Sequence, residues 1–388
     1  TKSLNMKDYD AIIIGCGASG TMCALSTKNK NVAIIDCNFL PSKKILVTGN
    51  GRCNLTNLNL DSSFYNTNID AYLNQFNVKQ TLAFFEKLGL EWYADEENRV
   101  YPITNSAKSV VDVLNNDLKN KVEMFLDETV LNIKKENEKF VVTTNKNIFS
   151  CKKLVIATGG NTELFKNLNI LSSSFTPSLV ALKCSNNLKN LNGVRISNAL
   201  VTAICENNKK SEMGEVLFKE DGLSGIVIFN LSSIFSRAKN FNGKIVIDMF
   251  PSLSLSTLKQ KLENRKMLNV PLNKFFVGFL QNSVADGVLK QAKLNGNINS
   301  KELTENEINV LATTLKNLTF NIVGAYSNNQ IFSGGVDLSE LTLGLESKKV
   351  KNLYFTGEVC NVDGVCGGYN LQWAWTSGHI VGEQLWLR

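Results

Sequence analysis

Histidine is almost absent from this sequence: of 388 residues only His379 is one, which removes His-based metal ligation and Ser-His-Asp hydrolysis. The nine cysteines (16, 23, 37, 53, 151, 184, 205, 360 and 366) contain no C-x-x-C, and their odd number and irregular spacing argue against a disulfide framework or a zinc site. Reduced thiols point to the cytoplasm. No apolar run approaches the ~18–20 residues that a membrane-spanning helix needs. Thr1–Asp10 is polar and lacks the apolar segment of a secretory signal. No block of five like charges occurs, and the formal charge of +7 comes from 42 basic and 35 acidic residues spread along the chain. Spread charge of this kind makes nucleic acid an unfavoured partner. There is also no repeat with a period of 20–50 residues.

What is present begins with YDAIIIGCGASGTMCALSTKNKNVAIID, Tyr9–Asp36, which reads as strand, tight turn, helix and strand. Ala11–Ile14 is a short apolar run of the kind found in a parallel strand buried on both faces. Gly15-Cys16-Gly17-Ala18-Ser19-Gly20 then matches G-x-G-x-x-G, whose glycines allow the turn, the approach of a pyrophosphate and close helix–strand packing. Asp36 closes the second strand 21 residues after Gly15, where a carboxylate meets an unphosphorylated ribose. Together these predict a dinucleotide. Lys153–Ile156 is another expected strand, running into Ala157-Thr158-Gly159-Gly160, and Leu353–Phe355 a last one, running into Thr356-Gly357-Glu358. Helical periodicity marks Thr81–Leu88, and Phe140–Thr144 reads as a strand.

Between Cys184 and Val323 the texture changes to short alternating segments (199–204, 243–249) and then to polar helical stretches (255–262, 272–280, 305–318). No second G-x-G-x-x-G appears there, so 184–323 is expected to be an inserted substrate or cap domain, with 6–183 and 324–388 forming a discontinuous first domain. The chain is long enough for two or three domains. The returning segment carries Asp363-Gly364-Val365-Cys366-Gly367-Gly368-Tyr369-Asn370 and then a helix whose start offers unpaired N–H groups and partial positive charge. Trp373 and Trp375 on that helix also read as core packing.

The stretch TGNGRCNLTN, residues 48–57, packs two glycines, an arginine, a cysteine and two asparagines into one loop. Combined with Gly15–Gly20, Lys44, Gly214–Gly225, Ser333–Val336 and Phe355–Trp375, it resembles the flavoproteins of the aminoacetone oxidase-like or 3-dehydro-bile-acid reductase-like family over nearly the whole chain from Met6. The resemblance implies an α/β fold, in which a glutathione-reductase-type, Rossmann-like FAD domain is interrupted by an insert with a β-rich and a helical part. It also implies bound FAD. Lys44 and the loop Thr48, Gly49, Asn50, Gly51, Arg52, Cys53 and Asn54 would then run alongside the cofactor, since two phosphates call for fixed donors. The candidate set further takes in Cys37, Val130, Asp363, Gly367, Gly368 and Leu371. Cys53 is not read as a redox thiol, because no cysteine lies at C-x₂-C or C-x₄-C spacing. This chain departs from its relatives in having Glu220 where many carry histidine, Cys366 for threonine and Ile226 for proline.

The expected activity is that of a flavin-dependent oxidoreductase, with hydride passing between a small organic substrate and flavin N5 beneath the insert. Tyr369 and Asn370, with Glu358, are nearest in sequence to the expected ring, and Tyr369 is the first candidate for a proton donor. Without a second nucleotide fingerprint, NAD(P)H is expected as a transient electron donor, with oxygen as the other option. The competing expectations are an RNA-associated flavoprotein and a non-catalytic FAD-binding module. His379 reads as a helix-end or core residue.

Overall fold

The structure, a computed structural model, describes residues 6–387. They divide into two units, Thr1–Thr176 with Ile331–Arg388, and Pro177–Gln330.

The first unit is built on a seven-stranded sheet. Strand Lys7–Ile14 lies between Val32–Ile35 and Ile148–Ile156, all parallel, and Glu123–Phe125 extends the sheet beyond Val32–Ile35. The other side of 148–156 is shared. Its first half pairs antiparallel with Lys139–Thr144, and its last residues pair parallel with Leu353–Phe355. Ala11, Ile12 and Ile13 are fully buried, as the continuous apolar run requires of a strand covered on both faces. Burying each of the two isoleucine side chains contributes about 1.5–3 kcal/mol. Helix Ala18–Ser26 and the terminal helix Tyr369–Gln384 pack against each other. The expected helix at 81–88 spans Val78–Lys87 and starts at a capping box of Asn77 and Gln80.

The second unit is a closed six-stranded barrel in the order Leu182–Cys184, Gly222–Ser224, Asn208–Lys219, Arg195–Cys205, Gly243–Asp248, Leu318–Ala325. Strands 182–184 and 318–325 run across the boundaries expected at 184 and 323, because closing the barrel needs both. Helix Ile226–Ala238 packs on it through Val227, Ile228, Leu231 and Phe235. Helices Leu255–Arg265, Asn282–Ala292 and Glu305–Lys316 follow and share the same core through Leu258, Leu262, Val288 and Leu311. The stretch 272–280 is helical only over Leu272–Phe275, since the chain turns at Gly278 with φ +78°. Among the described residues no helix is long and apolar enough to cross a membrane.

Candidate functional site

Parallel pairing brings the carboxyl ends of the strands to one edge. There the Gly15 amide donates to the Ile35 carbonyl (2.8 Å), Ala157 to Ile14 (2.8 Å), Thr356 to Ile156 (3.1 Å) and Asp36 to Phe125 (3.0 Å). The three expected glycine segments are therefore neighbours.

The glycine turn divides its labour as the motif predicts. A Cβ on Gly15, whose φ is +104°, would lie 2.2 Å from the Ala157 carbonyl oxygen, and one on Gly20 would lie 1.9 Å from that of Gly15. Nothing lies within 4 Å of the same position on Gly17, so the turn is closed to side chains at its ends and open in the middle, where a phosphate needs room. Ala18 and Ser19 begin the helix that follows, and the Ser19 hydroxyl donates to the Thr356 carbonyl at 3.4 Å.

Asp36 is drawn back onto this turn: one carboxylate oxygen accepts the Cys16 amide (2.6 Å), the other the amide and side chain of Asn38 (2.7 and 2.9 Å). A carboxylate offers about four lone-pair sites, two on each oxygen, so the oxygen that accepts the Cys16 amide keeps one for a ribose hydroxyl. Cys37 beside it is exposed. Val130 stands two residues after Glu128, whose amide donates to the Asp36 carbonyl (3.0 Å).

The segment containing TGNGRCNLTN starts against the same turn, with the Ser42 amide donating to the Cys16 carbonyl at 2.7 Å. Lys43–Gly51 forms tight helical turns interrupted at Thr48, Gly49 and Asn50, and Gly49, Asn50, Gly51 and Cys53 all have positive φ. The loop's glycines and asparagine suit that left-handed backbone. The Thr48 hydroxyl donates to the Ile45 carbonyl (2.6 Å). Cys53 is fully buried and burial pushes its thiol up to about 12, which removes thiolate chemistry there. The Arg52 guanidinium lies 4.4 Å over the Tyr101 ring, an aromatic support that the sequence did not disclose.

Lys44 and Glu358 flank Gly159: the Lys44 Nζ and a Glu358 carboxylate oxygen lie 3.5 and 3.3 Å from where a Cβ on that glycine would stand. Glu358 also accepts the Phe332 amide at 2.6 Å. Burial raises its pKa, opposed by the Lys44 charge and by that amide. Gly160 lies under the Phe332 ring, and the Thr158 hydroxyl donates to the Asn161 carbonyl (2.8 Å).

The terminal helix ties these loops together. Trp373 donates to the Gly357 carbonyl (3.0 Å), Ser377 accepts the Gly357 amide (2.9 Å), and Trp375 donates to the Leu55 carbonyl (2.9 Å). Both tryptophans are thus core residues and loop anchors. Ser377 and Gln372, which accepts the Thr56 hydroxyl at 2.7 Å, escaped sequence reasoning because small or amide side chains inside a helix carry no motif.

At the helix start, a Cβ on Gly368 would fall 2.4 Å from the Thr56 carbonyl oxygen and 2.8 Å from Asn54 Oδ1. That Asn54 oxygen is buried without a donor among the described residues. A buried acceptor of this kind calls for a ligand donor, and the ring N–H and ribityl hydroxyls of FAD are donors of the right type, so the residues present fit the cofactor. Tyr369 stacks on Phe64 (4.4 Å, 15°), and its carbonyl accepts the Tyr65 hydroxyl at 2.6 Å. Asn370 uses both ends of its amide on Gly364, accepting its N–H (2.8 Å) and donating to its carbonyl (2.9 Å), so it shapes the turn. Asp363, in that turn, accepts the Ser333 hydroxyl at 3.3 Å, and Gly367 and Leu371 are half-buried.

The HI0933-like protein Rossmann domain model matches residues 9–384. A curated relative, the 3-dehydro-bile acid delta(4,6)-reductase of Clostridium scindens, is 30% identical over 96% of this chain and 97% of its own. The ribosomal RNA dihydrouridine synthases of Escherichia coli and Haemophilus influenzae are 29% and 26% identical, each over at least 96% of both chains. Among solved structures, the 3-ketosteroid-delta4-(5alpha)-dehydrogenase of Rhodococcus jostii RHA1 covers 100% of this chain and 98% of its own, with a TM-score of 0.50 at 10% identity, a likeness of fold alone. The glycine edge and a family match running almost end to end agree: this chain belongs to the HI0933-like family of FAD-binding Rossmann proteins and is a flavin-dependent oxidoreductase.

Proposed function

We propose that the protein reduces a carbon–carbon double bond conjugated to a carbonyl, using FAD held at the glycine edge. The observation that carries this reading is the convergence of three strand-end glycine segments, the 48–54 loop and the start of the terminal helix at one edge. The reaction class follows from what two whole-length relatives have in common: one is named for reducing a 3-oxo Δ4,6 system, the other for making dihydrouridine, and each name implies saturation of a bond conjugated to a carbonyl. When bound, FAD supplies the hydride-transfer chemistry at N5.

The chain's own residues bind and orient. Gly17 leaves room for the pyrophosphate, Lys44 and Arg52 bring positive charge, Asp36 accepts from the ribose, and Asn54 supplies an acceptor beside the helix start. The helix start itself favours negative charge through its unpaired N–H groups. Tyr369 is proposed as the proton donor, with Asn370 positioning the turn before it. NAD(P)H is the proposed electron donor.

The substrate in this reading is a free small molecule. A second reading, a uridine in RNA, is favoured by the two dihydrouridine synthase relatives. Anaerobic mixing of the purified holoprotein with NADH or NADPH tests the core of the proposal: bleaching of the flavin band, reversed by an enone substrate, is expected. A colourless protein that takes up no added FAD would overturn it.

A further inference from the structure

The charge of the chain is not shared between its two units. Counted on the sequence, Thr1–Thr176 with Ile331–Arg388 holds 24 basic and 24 acidic residues, whereas Pro177–Gln330 holds 18 and 11, which together account for the chain's 42 and 35. The entire excess of +7 therefore sits in the barrel unit. Charge confined to one unit is the footprint of a polyanion partner, which evenly spread charge is not.

The barrel also gathers lysines that are distant in sequence. In the pairing register Lys209 faces Ile204, Ile204 faces Lys244 on the next strand, and Lys244 faces Asn321 on the one after. Directly paired residues project to the same side of a sheet. Lys209, Lys244 and Asn321 are exposed and Ile204 is half-buried, while the alternate residues Val201, Ala203 and Cys205 are buried, so this row lies on the outer wall. Among the described residues neither Lys209 nor Lys244 forms an ion pair. Two strand spacings separate Lys209 from Lys244, roughly 10 Å at the backbone. Glu212 is paired with the buried Val201 and so projects to the other side, while Glu206 at the turn accepts the Asn240 side chain (3.1 Å).

We propose that this wall of the barrel docks RNA through its phosphates, with Lys209 and Lys244 as contacts. The inference rests on the second substrate reading above and adds to it the surface that would hold the RNA. It makes the insert a nucleic-acid module attached to an electrically neutral flavin domain.

The test uses the full-length, FAD-loaded protein and fluorescence anisotropy of a short labelled single-stranded RNA, titrated between about 50 and 200 mM salt. The variant K209E/K244E is compared with K119E/K121E, which changes net charge equally at exposed lysines of the other unit. Flavin absorbance together with far-ultraviolet circular dichroism verifies that both units of each are folded. The first variant is expected to bind at least about tenfold more weakly, with a log–log salt slope shallower by about 1.4, as loss of two contacts to single-stranded nucleic acid predicts. The second is expected to stay within about threefold of the unsubstituted protein. Equal losses in both, no loss in either, or binding to anionic phospholipid vesicles but not to RNA would each overturn the proposal. Position-dependent binding without reduction of uridine would uphold the docking surface and remove the RNA-substrate reading. Uridine reduction that K209E/K244E leaves unchanged would do the reverse.

Discussion

His379 lies flat against Phe76, with ring centroids 4.0 Å apart, and its Nδ1 is 3.1 Å from the Ser26 hydroxyl. Burial lowers its pKa from 6.5, opposed by the charge of Glu383. Below that ordinary value the unfolded chain binds the proton more readily than the folded one, so the stability contributed at higher pH is lost as pH falls from about 6.5 towards the depressed folded value. As the sole histidine it is a clean probe: H379F should flatten the fall of the urea midpoint between about pH 7 and 5. Tyr369 and Asn370 separate by readout. Y369F keeps the stack on Phe64, so it should leave FAD affinity unchanged and lower turnover about a hundredfold if the hydroxyl supplies the proton. N370A removes two hydrogen bonds to Gly364, a loss of about 2 kcal/mol. Equilibrium dialysis should show weaker FAD binding, by about tenfold or more for that energy.

Among the elements, the terminal helix does the most to assemble the edge, and its own seat depends on two glycines one turn apart. A Cβ on Gly378 would lie 2.5 Å from the Ser19 carbonyl oxygen, and one on Gly382 would lie 2.6 Å from that of Cys23. The helix approaches helix 18–26 closely because both positions lack side chains. G378A or G382A should therefore cost about 1–3 kcal/mol through overpacking, read as a lower denaturation midpoint. Because Gly378 presses on Ser19, within the glycine turn, G378A should also release flavin, visible as lost absorbance after gel filtration. The glycine turn obeys the same logic, since its outer glycines are constrained by backbone and its middle one is open.

At the scale of the whole molecule, the described residues form two separate hydrophobic cores, one around the parallel sheet and one around the barrel. A ligand held by residues of the first stabilises that core by mass action, about 2.7 kcal/mol at a hundredfold excess over Kd. Hydrogen exchange of apoprotein with and without FAD should accordingly show slower exchange in strands 7–14, 148–156 and 353–355 and in helix 369–384. The barrel strands should be unaffected, and uniform protection of both cores would contradict the placement of the cofactor residues.

The strand–turn–helix unit at 9–36, the dinucleotide it predicts and the return of the chain at its end were legible in the residues, because apolar periodicity and glycine spacing are local properties. Family resemblance extended this to FAD and to the loop 48–54. Which groups meet was another matter. Asn370, a candidate near the chemistry, also clamps a turn, Arg52 rests on Tyr101 from another strand, and Ser377 was silent until the helix brought it to Gly357. The confinement of the net charge to the barrel-containing unit was equally hidden, since 18 and 11 become a pattern only once the unit's limits are known. Sequence by itself determined the local geometry and the cofactor class; tertiary structure alone decided the side-chain partners, because residues hundreds of positions apart come within hydrogen-bonding distance only through strand register and helix packing.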